Sequence, residues 1–334
     1  MKIIVPMAGM GKRLRPHTLV TPKPLVHIAG KSIVQRLVED ITKICGQKVD
    51  EVGFIIGDFG AEVENNLKKI ASDLGAVGKI YYQNEPLGTA HAVLCAAESL
   101  VGNVIVAFAD TLFRADFEID NSKDGALWVS KIQDPSAFGV VKLNAENLIV
   151  DFIEKPKEFV SDLAMIGIYY FKDGEILKTE LQYLIDNNIK NGDEYQLPYA
   201  LKNMTDKGMQ FLPVTVQEWL DCGNKDATVY TNQRILEFIK EEIKDKSSSK
   251  IVNSIIIEPC FLDQNATVVN SIIGPHVSIG KNSTIHDSVI SNSIILNQTE
   301  IKNNVIHNSM IGNSVKMTRV KSNLNVGDYT EIIN

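Results

Sequence analysis

Cysteine, long apolar runs and excess positive charge are all scarce in this chain, and each scarcity closes off a class of protein. The four cysteines (Cys45, Cys95, Cys222, Cys260) lie scattered over 334 residues, with no paired metal spacing and no disulfide-framework density. No apolar run approaches the length of a membrane span, and the opening MKIIVPMAG lacks the regions of a signal peptide. A cytoplasmic protein with reduced thiols and no membrane partner is therefore expected. The net charge of −7 argues against nucleic acid held on a basic surface. It does not argue against a phosphate ligand, because a few basic side chains in one cleft outweigh the global sign locally.

What is present is ordinary globular composition, 44% hydrophobic, in a chain long enough for one large domain and a smaller one. Lys2 to Met7 is a short Ile- and Val-rich run that suits a buried parallel strand. Ser32 caps a predicted helix with Ile33, Val34, Leu37, Val38, Ile41 and Ile44 at helical spacing. Strands are predicted at 52–56, 79–83 and 104–109, with helices at 62–74 and 90–100. This rhythm predicts an α/β fold with a doubly wound, mostly parallel, Rossmann-like sheet. Past Gly125, strands at 126–132, 138–143, 148–153 and 164–171 with few helical breaks predict a mixed extension crossed by a hairpin. Helices at 175–189 and 196–207, a strand at 210–216 and a long helix from about Asp226 to Lys246 follow.

Beyond Lys250 a phrase recurs: Asn253-Ser-Ile-Ile, Asn270-Ser-Ile-Ile, Asn292-Ser-Ile-Ile and Asn308-Ser-Met-Ile. Ile273, Ile279 and Ile285 are six apart, as are Ile295 and Ile301, which predicts a β-solenoid of roughly 18 residues per coil. The phase slips between Ile285 and Ile295, so an insertion in one coil is expected there. The expected organisation is an α/β domain over 1–225, a helix and linker over 226–249, and the solenoid over 250–334.

The chemistry-bearing residues begin directly after the first strand, with Ala8-Gly9-Met10-Gly11-Lys12-Arg13-Leu14-Arg15-Pro16. Glycines there let backbone N–H groups approach phosphate oxygens, and guanidinium matches phosphate geometry. The third glycine of a dinucleotide fingerprint is missing, and the loop is not a Walker A sequence. Lys23 follows, with proline on both sides fixing its backbone. Phe108-Ala109-Asp110 closes a buried strand on a carboxylate, where open α/β sheets collect ligands.

This combination resembles the nucleoside-diphosphate-sugar pyrophosphorylase family, whose opening reads approximately AGGxGTRLxPLT followed by KPL. The chain has AGMGKRLRPHT, one residue shorter with Lys12 for the usual Thr, and then KPL. Arg13 and Lys23 align with the family's catalytic Arg and Lys, and Ala8, Gly9 and Gly11 with its nucleotide-binding loop. Gln83, Gly88 and Thr89 resemble the base-reading segment. Gly139 resembles the strand against the sugar. Glu154-Lys155-Pro156 matches the family's EKP, implying sugar-hydroxyl and sugar-phosphate contacts. Gly167 follows Ile166, where the family usually has Thr-Gly. Trp219-Leu-Asp221-Cys-Gly223 matches WxDxG, whose Asp joins Asp110 as a magnesium ligand.

In layout the chain is most similar to long glucose-1-phosphate thymidylyltransferases with a C-terminal left-handed β-helix. The resemblance implies transfer of a nucleotidyl group from a nucleoside triphosphate, dTTP or UTP favoured, to a sugar-1-phosphate, glucose-1-phosphate favoured, with Mg2+ as cofactor. It also implies a homo-oligomer, since solenoid faces commonly pair. Open alternatives are GTP with mannose-1-phosphate, a phosphocholine-type acceptor, added acyl transfer through His276, His286 or His307, and a non-catalytic sensor.

Overall fold

The computed structural model describes residues 1–116, 119–120, 122–319, 321–322 and 324–332. Its elements run β1 (Lys2–Pro6), a small hairpin of β2 (His27–Ile28) and β3 (Lys31–Ser32), α1 (Ile33–Ile44), β4 (Glu51–Ile56) and α2 (Ala61–Asp73). Then come β5 (Val77–Tyr82), α3 (Thr89–Leu94), β6 (Val104–Ala107), β7 (Thr111–Arg114), β8 (Gly125–Lys131), β9 (Gly139–Leu143), β10 (Ile149–Glu154) and β11 (Leu163–Phe171). Next follow α4 (Gly174–Asp186), α5 (Leu197–Asp206), β12 (Phe211–Thr215), β13 (Glu218–Asp221) and α6 (Lys225–Phe238). Two compact units divide the chain: Met1–Gly9 with Leu37–Trp219, and Met10–Arg36 with Leu220–Asn334.

The first unit is built on one nine-stranded sheet in the order β5-β4-β1-β6-β11-β8-β12-β10-β9. The first four strands are parallel; β4, β1 and β6 carry the near-continuous apolar runs expected of strands covered on both faces, while β5 at the sheet edge is no more than half-buried. β11 enters antiparallel to both β6 and β8, and β9 with β10 forms the expected hairpin, so the sheet is mixed. Val93 of α3, Leu177 and Leu181 of α4 and Leu201 of α5 share one buried cluster with Ile4, Val104, Val106, Leu127 and Val129. The predicted cap on α1 is present: the Gln35 N–H donates to Ser32 Oγ at 3.3 Å.

Two helices are shorter than their sequence pattern suggests. The helix expected to reach Leu100 ends at Leu94, after which the N–H groups of Ala96, Ala97 and Ser99 bond three residues back and the chain tightens into turns. The helix expected to reach Lys246 ends at Phe238. From Lys240 to Asp245 every side chain except Ile243 is exposed, so that stretch has no apolar face to bury.

The second unit carries three sheets of short parallel strands, a stack consistent with a β-helix. Lys250 aligns in turn with Thr267, Thr284, Glu300, Lys316 and Glu331, so coils are 17, 17, 16, 16 and 15 residues long rather than 18. The phase slip is a shortening, not an insertion. Ile285, Ile290 and Ile295 are all buried at steps of five, so each of two corners lacks one residue of the hexad. The recurring Asn-Ser phrase serves two different corners. Asn253 and Asn270 stack at one (2.9 Å) and Asn292 and Asn308 at another (3.3 Å), all four at positive φ that Asn tolerates. The Ser that follows staples adjacent coils, as where the Ser271 N–H donates to Ser254 Oγ at 3.0 Å and that of Ser309 to Ser293 Oγ at 3.1 Å.

Candidate functional site

In the first unit the predicted residues gather at the carboxyl ends of strands. Ala8 and Gly9 follow β1, Gln83 follows β5 and Asp110 lies three residues past β6. An ideal Cβ on Gly9 would meet nothing within 4 Å, so that backbone is open to a ligand. Gln83 Nε2 donates to Gly88 O at 3.2 Å and stands 3.2 Å from His91 Nδ1. Burial holds the His91 imidazole below its ordinary pKa, which favours the neutral ring that accepts at Nδ1. Gly88 has φ +108 and a Cβ there would stand 2.4 Å from Tyr195 O, so no other residue fits that turn. The Thr89 hydroxyl oxygen is already engaged, accepting the Leu197 N–H that starts α5 at 2.9 Å. Its O–H and one lone pair remain for a ligand.

Gly139 and Glu154 are paired across the β9–β10 hairpin. A Cβ on Gly139 would stand 2.7 Å from Glu154 Oε2 and 2.5 Å from Met165 Cε; the glycine makes room for the carboxylate. Lys155, exposed, takes φ +46 and is held there by its N–H donating to Phe138 O at 3.1 Å. Gly167, at φ +85, sits where β11 shifts register against β8, and its carbonyl accepts the Phe108 N–H at 3.0 Å. Phe108 packs edge-on against Tyr169 at 6.3 Å. Burial pushes the Tyr169 phenol well above its ordinary pKa, and the nearby charges of Glu154 and then Asp110 push it further. Tyr169 thus lies within electrostatic reach of both Glu154 and Asp110. No sequence signal singled it out. Trp219 closes the same region, its Nε1–H donating to Thr111 Oγ1 at 3.0 Å and its ring edge-on to Phe138 at 4.9 Å.

We expect Gly139→Ala to leave the melting temperature nearly unchanged, because both crowded atoms end flexible side chains. It should weaken about tenfold, read as a raised KM, any ligand whose hydroxyl bonds Glu154, by displacing that carboxylate and losing a charged hydrogen bond. Steady-state kinetics with a parallel melting curve checks both halves.

The second unit holds Gly11, Arg13, Lys23 and Asp221. Gly11 is left-handed (φ +56), with Lys23 Cβ 2.8 Å from where its own Cβ would be, and Thr18 Oγ1 donates to Gly11 O at 2.8 Å. Those contacts close the loop on itself. Lys23 is only 7% exposed, whereas Arg13 stands in solvent on a turn anchored by the fully buried Leu14. Asp221 Oδ1 accepts the Gly223 N–H at 3.0 Å. A Cβ on Gly223 would stand 2.8 Å from Asp221 Oδ2 and 3.2 Å from Arg13 Nη2, so the three residues share one small space.

A family model described as Nucleotidyl transferase matches residues 2–238. The chain belongs to the nucleotidyl transferase family. Its relatives include the glucose-1-phosphate thymidylyltransferase of Streptomyces antibioticus, 30% identical over 73% of this chain and 68% of that one. The bifunctional protein GlmU of Methanococcus maripaludis is 29% identical over 77% of this chain, which spans 60% of that relative's length. The mannose-1-phosphate guanylyltransferase catalytic subunit beta of Drosophila melanogaster is 33% identical over 54% of this chain and 51% of its own. The nucleoside-diphosphate-sugar pyrophosphorylase of Vibrio cholerae RC9 shares the fold, with a TM-score of 0.58 at 20% identity, covering 69% of this chain and 99% of that one. The resemblance read from the loop, EKP and WxDxG motifs is thus borne out at the level of the family. Among the described residues no helix is long and apolar enough to cross a membrane.

Proposed function

We propose that this nucleotidyl transferase joins a nucleoside triphosphate to a sugar-1-phosphate, releasing pyrophosphate and forming a nucleotide sugar. The observation that carries the reading is the pairing of Gly139 with Glu154 across the β9–β10 hairpin, with Gly167 bonded to Phe108 on the segment that leads into Asp110 at the strand ends. A sugar bearing hydroxyls and one phosphate suits a carboxylate next to the exposed Lys155. The phosphate oxygen of the acceptor attacks the α-phosphorus in line. It is already ionised at neutral pH, so no general base is required and the side chains act by position and charge. Arg13 stabilises the departing pyrophosphate, Lys23 the α-phosphoryl group and Lys155 the incoming phosphate, while backbone N–H groups around Ala8, Gly9 and Gly11 cradle the triphosphate.

Asp110 and Asp221 fit Mg2+ in chemistry: both are hard oxygen donors. Among the described residues no group of three or more His, Cys, Asp or Glu is arranged to hold a metal. Mg2+ takes one or two carboxylates and completes its shell with phosphates and water. When bound, Mg2+ would neutralise charge on phosphate oxygens.

dTTP or UTP with glucose-1-phosphate is favoured. Gln83 engages Gly88 O and His91 through its amide nitrogen, so its carbonyl end is the one available to accept the imide N–H of thymine or uracil. GTP with mannose-1-phosphate is the second reading, favoured by the guanylyltransferase relative. The strand stack is read as a left-handed β-helix. Its outward Ile255, Ile272, Val289 and Val305, aligned in register and exposed, support a homo-oligomer.

The deciding assay measures pyrophosphate release from dTTP, UTP, GTP, CTP and ATP, each crossed with glucose-, mannose-, galactose- and N-acetylglucosamine-1-phosphate, with and without Mg2+. Metal-dependent release in one or two combinations, a pyrimidine triphosphate among them, is expected. Silence throughout would sink the sugar reading and leave a phosphocholine-type acceptor or a nucleotide sensor.

A further inference from the structure

Within the second unit, the loop that carries Arg13 and Lys23 is fastened to the last coil of the strand stack, and His17 makes the fastening. His17 is 1% exposed, and its Nε2 lies 2.7 Å from Asn325 Oδ1, a residue 308 positions away. Asn325 Nδ2 donates to Arg15 O at 3.3 Å, so its Oδ1 is the acceptor and His17 Nε2 carries the proton. His17 Nδ1 is buried with no partner, which fits the neutral ring. Burial holds the imidazole below its ordinary pKa, against the opposing pull of the Asn325 bond and the Asp328 charge. Pro16 seats beside this bond, where a Cβ on Gly327 would stand 2.8 Å from Pro16 Cβ. Within the loop, Thr18 binds Gly11 and Gly11 packs on Lys23, so a displacement at His17 reaches both cationic residues. The family's usual opening has a leucine where this chain has His17, a side chain that could not make the bond to Asn325.

We propose that His17 and Asn325 are positioning residues: through them the terminal coil holds the Arg13–Lys23 loop in its working geometry. The coil then belongs to the catalytic apparatus without touching substrate. The proposal rests on the nucleotidyl transfer proposed above, and its test separates the two. His17→Leu, which restores the family's apolar residue, and Asn325→Ala should both speed amide hydrogen exchange across residues 12–19. His17→Leu should lower kcat by about tenfold to 10²-fold, as small misplacements of reacting groups do. His17→Gln, which returns a donor near the Nε2 position, should recover most of both effects. In an Arg13→Ala background, His17→Leu should cost clearly less than it does in the wild-type chain, since the part of its effect that acts through Arg13 is already gone and only the part through Lys23 remains.

Unchanged exchange in both variants would overturn the anchor. Faster exchange with unaltered kcat, or losses that multiply with Arg13→Ala, would overturn the positioning role. A wild-type chain inactive on every substrate pair would instead defeat the proposed reaction and with it the positioning role, while the exchange measurements would still decide the anchor.

Discussion

Replacing Arg13 by Ala is expected to lower kcat by on the order of 10²-fold or more, as losing one preorganised donor to a developing anion does elsewhere. The residue is well placed for a clean test. Its side chain is exposed while its neighbour Leu14 is fully buried and fixes the turn, so truncation removes charge and not core. The melting temperature should therefore hold. If Arg13 acts on the leaving pyrophosphate, the loss falls on kcat; if it only helps bind the triphosphate, KM rises at constant kcat. Lys12→Ala, which removes the adjacent exposed cation, is the control and should change turnover far less. Near-normal kcat and KM in Arg13→Ala, measured as pyrophosphate release, would remove Arg13 from the mechanism.

The fold was legible where one period dominated. Short Val- and Ile-rich runs returning every few tens of residues gave the parallel half of the sheet, and the few helical breaks past Gly125 gave the mixed half. What was not legible depended on where a pattern stops. The segment after Phe238 keeps Ile239 and Ile243 at helical spacing, yet both are only half-buried and the residues around them are exposed, so the helix ends. In the strand stack, corners that drop one residue left the inward aliphatic ladder intact while breaking the hexad count, which imitated an insertion.

The candidate site divides in the same way. Gly139, Glu154 and Lys155 were readable as a motif, and the hairpin register explains their order: it sets Gly139 opposite Glu154 and its N–H partner Phe138 beside Lys155. Tyr169 was unreadable because its meaning comes from β11 lying beside β6 with a register slip at Gly167, which no local pattern encodes. His17 was unreadable for the same reason. A lone histidine after a proline reads as a polar packing or loop residue, and the asparagine it bonds lies at the far end of the chain.

Gly223→Ala should cost as much turnover as removing a catalytic side chain while leaving every proposed catalytic and metal-binding residue in place. Gly223 is buried and its φ lies outside the left-handed region, so alanine brings no backbone strain; what it brings is one methyl group. That carbon would stand 2.8 and 3.0 Å from the two Asp221 oxygens and 3.2 Å from Arg13 Nη2. The carboxylate cannot swing aside without losing the 3.0 Å bond from the Gly223 N–H that orients it. Arg13, longer and exposed, yields more easily but leaves the geometry in which it would meet the pyrophosphate. A displacement near 1 Å in such groups costs on the order of 10²-fold. The expected result is a fall in kcat of that size, together with a raised Mg2+ requirement, because the perturbed Asp221 is a proposed magnesium ligand. Excess Mg2+ should recover only the part of the loss that comes from Asp221. Full recovery at high Mg2+ would show that Arg13 tolerates the methyl group, and unaltered kcat at every Mg2+ concentration would show that neither side chain needs the space that glycine leaves.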